Sequence, residues 1–207
     1  MPYYPVNLDL NGQRCIVIGG GSVAQRKVET LLDFGAAVTV ISDKITPGLS
    51  GLVSSHAITY NESLFSPGML EGAFLAIAAT NDTEANKAVY QEAKERNILV
   101  NVVDVPEICT FFVPAVVQRG DLVISISTSG KGPSLARRIR EELESEYGPE
   151  YGELTEILYE LRDEVKYGYT GMDERRKAFL RILNSDVIDL LAQGKPEEAR
   201  QKARQCI

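Results

Sequence analysis

The most specific chemical pattern in this 207-residue chain is Gly19-Gly20-Gly21-Ser22-Val23-Ala24, a G-x-G-x-x-A motif. It follows an apolar run, 13–18 (QRCIVI), and opens a segment, 22–34, in which Val23, Val28, Leu31 and Leu32 recur at helical spacing. Between a strand and a helix, such a motif binds a dinucleotide. Gly19 makes the turn, Gly21 lets the backbone approach a pyrophosphate, and Ala24 packs helix on strand. The N–H groups of the helix start, from Ser22 and Val23 onward, face the anion. A second apolar run, 36–41 (AAVTVI), leads to Ser42-Asp43-Lys44. Asp43 falls where a carboxylate reads ribose hydroxyls, with Lys44 beside it, but an Asp in a turn also serves local hydrogen bonding, and both roles remain open.

Two further groups carry chemistry. In open α/β sheets ligands lie beyond the carboxyl ends of the strands, so Asp104, ending Asn101-Val102-Val103-Asp104, and Thr80, in the Ala79-Thr80-Asn81-Asp82 loop, both point toward a cleft. Asp104 is a candidate catalyst there, or a turn former. Arg137, Arg138 and Arg140 follow a glycine turn, 128–133, with Lys131 at the mouth of their helix and Arg119 before the preceding strand. Such a cluster suits an anionic ligand at a helix N-terminus; i,i+4 pairing of Arg137 with Glu141 and Arg138 with Glu142 competes with that use. Arg175-Arg176-Lys177 reads as a solvated helix face, and His56 as a surface residue.

The elements that position these residues form a repeating grammar. Strand, glycine turn, helix and strand over the first forty residues make a βαβ unit, and the pattern recurs with strands at 73–79 and 98–103 around a helix at 82–96. A short strand at 58–60 joins them. The expected fold is α/β, a Rossmann-like doubly wound parallel sheet. After Pro106 two strands, 110–113 and 122–127, lack a helix between them and read as an antiparallel appendage. Pro133 then opens a helix to about Tyr147, and 151–206 is helical with breaks at 168–171 and 194–196.

Composition excludes several classes. Lys+Arg of 22 against Asp+Glu of 29 gives a net charge of −7, which repels a phosphate backbone, so no nucleic-acid partner is expected. No apolar stretch approaches the roughly 20 residues of a membrane span, and the start MPYYPVNLDLNG lacks a leader pattern. The expectation is a soluble, cytoplasmic protein without membrane association. Cys15, Cys109 and Cys206 are odd in number and widely spaced, which suits reduced thiols, and with a single histidine no tetrahedral metal site is expected.

The chain resembles the precorrin-2 dehydrogenase family, in many members also a sirohydrochlorin ferrochelatase (the siroheme synthase N-terminal type). The resemblance rests on GGGSVAQRK at 19–27, AATND at 78–82, NVVD at 101–104, and the stretch from Phe112-Val113-Pro114-Ala115 through RGDLVISISTSGKGPSLARRIR. It implies an NAD-binding Rossmann domain at 1–113, a small α+β dimerisation region at 114–148 and a helical C-terminal domain at 149–207. The implied active site lies in the cleft between the first and last of these. It also implies a homodimer, NAD as cofactor, precorrin-2 as substrate, sirohydrochlorin as product, and ferrous iron as a further substrate where siroheme is made.

In the family the NVVD aspartate is the proposed acid/base for dehydrogenation and chelation, and here that position is Asp104. Arg119, Lys131, Arg137 and Arg138 would meet the carboxylates of the tetrapyrrole. Some relatives carry a phosphorylatable serine before the Arg-rich helix, where this chain has Thr128, Ser129 and Lys131. The methyltransferase domain fused to some members is not expected within 207 residues. Competing classes are a lyase, with metal chelation as the main activity, and a non-enzymatic NAD-sensing module.

Overall fold

Strand β1 (Arg14–Ile18) is buried from Cys15 onward and runs directly into the glycine turn and helix α1 (Ser22–Asp33). The computed structural model describes residues 3–207, which pack as two units, one ending at Val113 and the other Pro114–Ile207. In the first, β2 (Ala37–Ser42), α2 (Pro47–Ser54), β3 (Thr59–Glu62), β4 (Leu75–Ala78), α3 (Thr83–Glu95) and β5 (Leu99–Val102) follow in turn, and a single 3-10 turn, Pro106–Ile108, comes after β5. The five strands are parallel in the order β3-β2-β1-β4-β5, the doubly wound arrangement expected.

Alternation along the strands divides the core between the two faces of the sheet. Cys15, Val17, Val38, Val40, Leu75 and Ile77 pack with Ala24, Val28 and Leu31 of α1 and Leu49 of α2. Ile16, Ile18, Ile41, Ala76, Ala78, Val100 and Val102 pack with Val89 and Ala93 of α3. Because both faces are covered, the strands read as continuous apolar runs. The crossover from β3 to β4 has no helix, and the buried carboxylate of Glu92 holds it by accepting from Gly68 N at 2.9 Å and Leu70 N at 3.2 Å.

Helix α2 was not anticipated, although Thr46-Pro47 is its start signal: Thr46 Oγ1 accepts from Leu49 N at 3.2 Å and Pro47 takes the first helical position. A second correction concerns the strand expected at 110–113. Thr110 instead docks against β5, its N–H donating to Val100 O at 2.8 Å, and Pro114 has no N–H to contribute to a ladder.

The second unit opens with an antiparallel hairpin, β6 (Ala115–Arg119) and β7 (Leu122–Ile126), joined by Gly120-Asp121 with Gly120 at φ +55°. Helix α4 (Pro133–Glu146) follows, then α5 (Glu150–Glu160), α6 (Arg162–Gly168), α7 (Met172–Leu183), α8 (Val187–Ala192) and α9 (Pro196–Gln205). Leu154, Ile157, Leu161, Ile182, Val187, Leu191, Ala199 and Ala203 form its core. Among the described residues no helix is long and apolar enough to cross a membrane.

Candidate functional site

The carboxyl ends of β1, β2 and β4 meet around a cleft of about 490 Å³, lined by Gly19, Gly20, Gly21, Ser22, Val23, Ser42, Asp43, Lys44, Ile45, Thr46, Ala79, Thr80 and Asn81. It lies beside the switch point between β1 and β4, where the chain crosses from one half of the sheet to the other. Sterics assign the glycines. Gly19 has φ +111°, and a Cβ there would overlap the carbonyl of Ala79. Gly20 abuts the carbonyl of Lys44 in the same way. Gly21 meets nothing within 4 Å of a Cβ position, so its open face is free for a ligand.

Gly21 is the N-cap of α1 and offers no side-chain cap; the first helical bond is Gln25 N to Gly21 O at 2.9 Å. The N–H groups of Ser22, Val23 and Ala24 precede that bond and form the anion-facing start of the helix. Ala24 itself is fully buried against the sheet and does not line the cleft. These residues fit a dinucleotide: an uncapped helix start, an unobstructed glycine and, across the cleft, the exposed carboxylate of Asp43. Ser42 Oγ donates to Lys44 O at 2.8 Å, fixing the turn that carries Asp43. Tyr60 supports it by donating its hydroxyl to Ser42 O at 3.0 Å. That phenol is pushed above its ordinary pKa by desolvation and by the charges of Glu62 and Asp43.

Thr80 is held from two sides. Its Oγ1 accepts from Asp82 N at 2.8 Å, and its carbonyl accepts from Asn86 Nδ2 at 3.0 Å. Asp104 comes two residues after β5, exposed and with φ +61°. Val103 N donates to Ala78 O at 2.9 Å, so the chain leaves β5 alongside the Ala79-Thr80 wall of the cleft. A left-handed backbone is uncommon outside glycine and best tolerated by Asn and Asp, and such outliers gather at functional sites.

In the second unit the basic residues do not form one cluster. Arg137 and Arg138 pair with Glu141 and Glu142 at 2.9 Å, and Arg140 pairs with Glu144, so the i,i+4 alternative describes α4. The hydrogen bond from Arg137 holds the Glu141 carboxyl below its usual pKa. Arg119 is the last residue of β6 and donates to Tyr147 O at 2.8 Å and Glu144 O at 3.1 Å, capping the C-terminal end of α4. Lys131 sits before the other end of that 14-residue helix, about 21 Å long. Lys131 has no carboxylate partner among the described residues. Thr128-Ser129-Gly130-Lys131 is a tight turn with Ser129 and Gly130 both left-handed, closed by Lys131 N donating to Thr128 O at 3.0 Å.

The sequence reading missed Gly20 and Thr46 as parts of the cleft. The helix start signal at Thr46-Pro47 would have found one, whereas the need for glycine at 20 depends on a backbone contact 24 residues away in sequence.

A family model described as "Putative NAD(P)-binding" matches residues 6–115, just over half of the chain. The chain belongs to this NAD(P)-binding family. Two further models continue along it, "Sirohaem biosynthesis protein central" at 119–146 and "Sirohaem synthase dimerisation region" at 150–207. Among curated relatives, the siroheme synthase of Methylobacillus flagellatus is 39% identical over the whole chain and 44% of its own length. That of Vesicomyosocius okutanii is 38% identical over 97% of the chain and 43% of its own length. The chain thus spans less than half the length of the curated relatives it matches. A solved structure, SirC, precorrin-2 dehydrogenase, is 29% identical, with a TM-score of 0.79 over 98% of this chain and 100% of that one. The family resemblance carried by the motifs is borne out, as is the Rossmann-like sheet followed by a helical region. The dimerisation label falls on 150–207, C-terminal to the 114–148 segment assigned that role from the sequence.

Proposed function

We propose that the chain oxidises precorrin-2 to sirohydrochlorin with NAD+, within siroheme biosynthesis. The observation that carries this reading is the full-length match to the SirC dehydrogenase, with the dinucleotide-shaped cleft in the matching unit. When bound, the nicotinamide accepts a hydride. The protein's tasks are to fix the cofactor, orient the macrocycle and take the proton that leaves with the hydride. Gly19, Gly21, Ser22 and Val23 would hold the pyrophosphate, with Ala24 packing their helix on the sheet, Asp43 and Lys44 would hold the ribose, and Thr80 the nicotinamide side. Asp104, carried off the carboxyl end of β5 beside that cleft, would take the proton. Lys131, Arg137 and Arg138 would meet the carboxylates of the substrate. For Arg137 and Arg138 this means exchanging exposed glutamate partners, which costs little because surface pairs are worth about 0–1 kcal/mol. The working form would be a homodimer, since the match to a dimerisation region covers 150–207.

A second reading adds ferrous iron insertion, favoured by the relatives' name, siroheme synthase. One experiment tests both. Purified protein is incubated with precorrin-2 and NAD+, with and without ferrous iron, and absorbance follows sirohydrochlorin and then siroheme. No sirohydrochlorin would end the first reading, and sirohydrochlorin unchanged by iron would end the second.

A further inference from the structure

The turn that carries Asp104 is clasped by a half-buried thiol, Cys109, that the proposed reaction does not use directly. After the 3-10 turn at Pro106–Ile108 the chain returns along the free edge of β5. Thr110 N donates to Val100 O at 2.8 Å, and Thr110 Oγ1 accepts from Val100 N at 2.8 Å. Asn101, buried, donates its Nδ2 to Phe111 O at 3.1 Å and lies 3.6 Å from Cys109 Sγ. Cys109 completes the clasp. Its sulfur accepts from Val102 N at 3.2 Å, and its S–H faces the carbonyls of Val102 at 3.2 Å and Val105 at 3.3 Å. Val102 and Val105 are the two ends of the turn, since Val105 N donates to Val102 O at 3.2 Å, and Asp104 lies between them with φ +61°.

The contacts bear on function because of where they fall. A left-handed non-glycine residue persists only where its surroundings over-determine it. Here the turn has one hydrogen bond of its own, and both of its ends are anchored to the same sulfur. A thiolate could accept from Val102 N but could not donate to either carbonyl. Burial pushes the Cys109 thiol above its ordinary pKa, opposed by the bond to Val102 and aided by Glu107, so the donor persists at neutral pH.

We infer that Cys109, seated by Asn101, is a positioning residue that holds the Val102-to-Val105 turn and so aims the Asp104 carboxylate at the reacting atoms. This rests on the reading of Asp104 as the proton acceptor. A displaced acid/base group loses rate without losing cofactor contacts, because the clasp lies on the β5 edge and the dinucleotide residues lie on β1, β2 and β4.

The test is a double-mutant cycle on the full chain, with precorrin-2 and NAD+ as substrates. Cys109→Ala should lower kcat roughly ten- to a hundred-fold, the scale of a misplaced catalytic group. The KM for NAD+ should stay within about two-fold, a split that general destabilisation would not give. Cys109→Ser, which keeps a donor and an acceptor, should recover most of the loss. In an Asp104→Asn background, Cys109→Ala should leave residual turnover within about two-fold, because there is then no acceptor left to misplace. Equal fractional losses in both backgrounds, or no loss in the Asp104 background, overturn the inference while leaving Asp104 as the acceptor. Full activity of Asp104→Asn alone overturns the parent reading, and this inference with it. Should Cys109→Ala fail to fold, the same cycle with Cys109→Val, which keeps the bulk and lacks both donor and acceptor, decides: a loss of turnover seen only with Asp104 present supports the clasp, and a loss seen in both backgrounds, or none, overturns it.

Discussion

The backbone at Gly20 is pressed against the carbonyl of Lys44, and next to that contact Thr46 N donates to Gly20 O at 3.0 Å. The glycine turn and the loop that carries Asp43 are therefore one backbone assembly, and the middle glycine belongs to the fold while its neighbour Gly21 keeps an open face. Gly20→Ala must separate these two loops and should cost about 1–3 kcal/mol of stability, as overpacking does elsewhere. Gly21→Ala, with φ −80° and open space around it, should change stability by less than about 1 kcal/mol. It should nevertheless weaken NAD+ binding, because the new methyl occupies the face where the pyrophosphate would lie. Thermal unfolding and cofactor titration of the two variants check the division; equal destabilisation would refute it.

Cofactor preference should follow Asp43. A carboxylate at the end of β2 accepts the ribose hydroxyls and repels a 2′-phosphate, so NAD+ should bind more tightly than NADP+. Lys44 opposes this, being the next residue, but its backbone is held by Ser42 and Gly20 and its ammonium has no fixed partner among the described residues. Asp43→Asn should narrow the preference by roughly ten-fold, the scale of one charge-assisted hydrogen bond. NADP+ binding as tightly as NAD+ to the unaltered protein would defeat the assignment.

Local patterns carried most of the Rossmann unit into the sequence. Continuous apolar runs marked β1, β2, β4 and β5, and the motif at 19–24 announced a dinucleotide turn, because apolar runs and turn chemistry are nearest-neighbour properties. What stayed hidden depends on contacts across the chain. The 110–113 segment has strand-like residues, yet Thr110 is drawn to Val100 and Pro114 interrupts the ladder, so pairing starts at Ala115. Arg119 looks like one member of a basic cluster until the hairpin and α4 carry it to the far end of that helix. The sequence shows the charges of Arg137, Arg138 and Arg140, while their glutamate partners at i+4 were visible as an alternative that the structure selects.

Cys15 offers a pH-dependent probe of the sheet. It is fully buried in β1 between Val38 of β2 and Leu75 of β4, and desolvation pushes its pKa from 9.0 up to about 11. The folded chain therefore resists ionising this thiol while the unfolded chain does not. The contribution is complete below about pH 9 and is lost as pH rises toward 11, by up to about 2.7 kcal/mol. Denaturant unfolding of Cys15→Val, compared with the unaltered protein at pH 8.5 and pH 11, isolates this part from the lysines and tyrosines that titrate in the same range. The two proteins should diverge by about 2 kcal/mol at the higher pH; parallel losses would show that the thiol is not the cause.

The homodimer should use the face of α7. Met172, Leu180 and Leu183 recur at i, i+8 and i+11 and stay exposed, at 85%, 40% and 47%. Large apolar side chains repeated along one side of a helix mark an interaction surface, and this one lies inside the segment matched as a dimerisation region. Sedimentation at micromolar concentration should give about twice 22.7 kDa. Leu180→Glu should shift the protein toward the monomer mass. A monomer at the outset would refute the homodimer, and a dimer indifferent to Leu180→Glu and Leu183→Glu together would place the interface elsewhere.

The decisive prediction concerns Asp104, and its conformation determines which substitution to make. Asp104→Ala would remove the carboxylate and also place an alanine at φ +61°, where Asn and Asp are tolerated better. Any loss of rate would then mix chemistry with a rearranged turn. Asp104→Asn keeps the shape and the left-handed backbone and removes only the ability to take a proton. If Asp104 is the acceptor, turnover of precorrin-2 should fall by roughly 10²–10⁴-fold, the range for a lost general base, while NAD+ affinity stays within about two-fold. Thermal stability should be unchanged, since the carboxylate is exposed and accepts no hydrogen bond from the protein among the described residues. If iron insertion uses the same acceptor for the pyrrole protons, it should fall in parallel. Turnover within a few-fold of the unaltered enzyme would instead make Asp104 the residue that lets the chain turn after β5, with solvent taking the proton as hydride leaves.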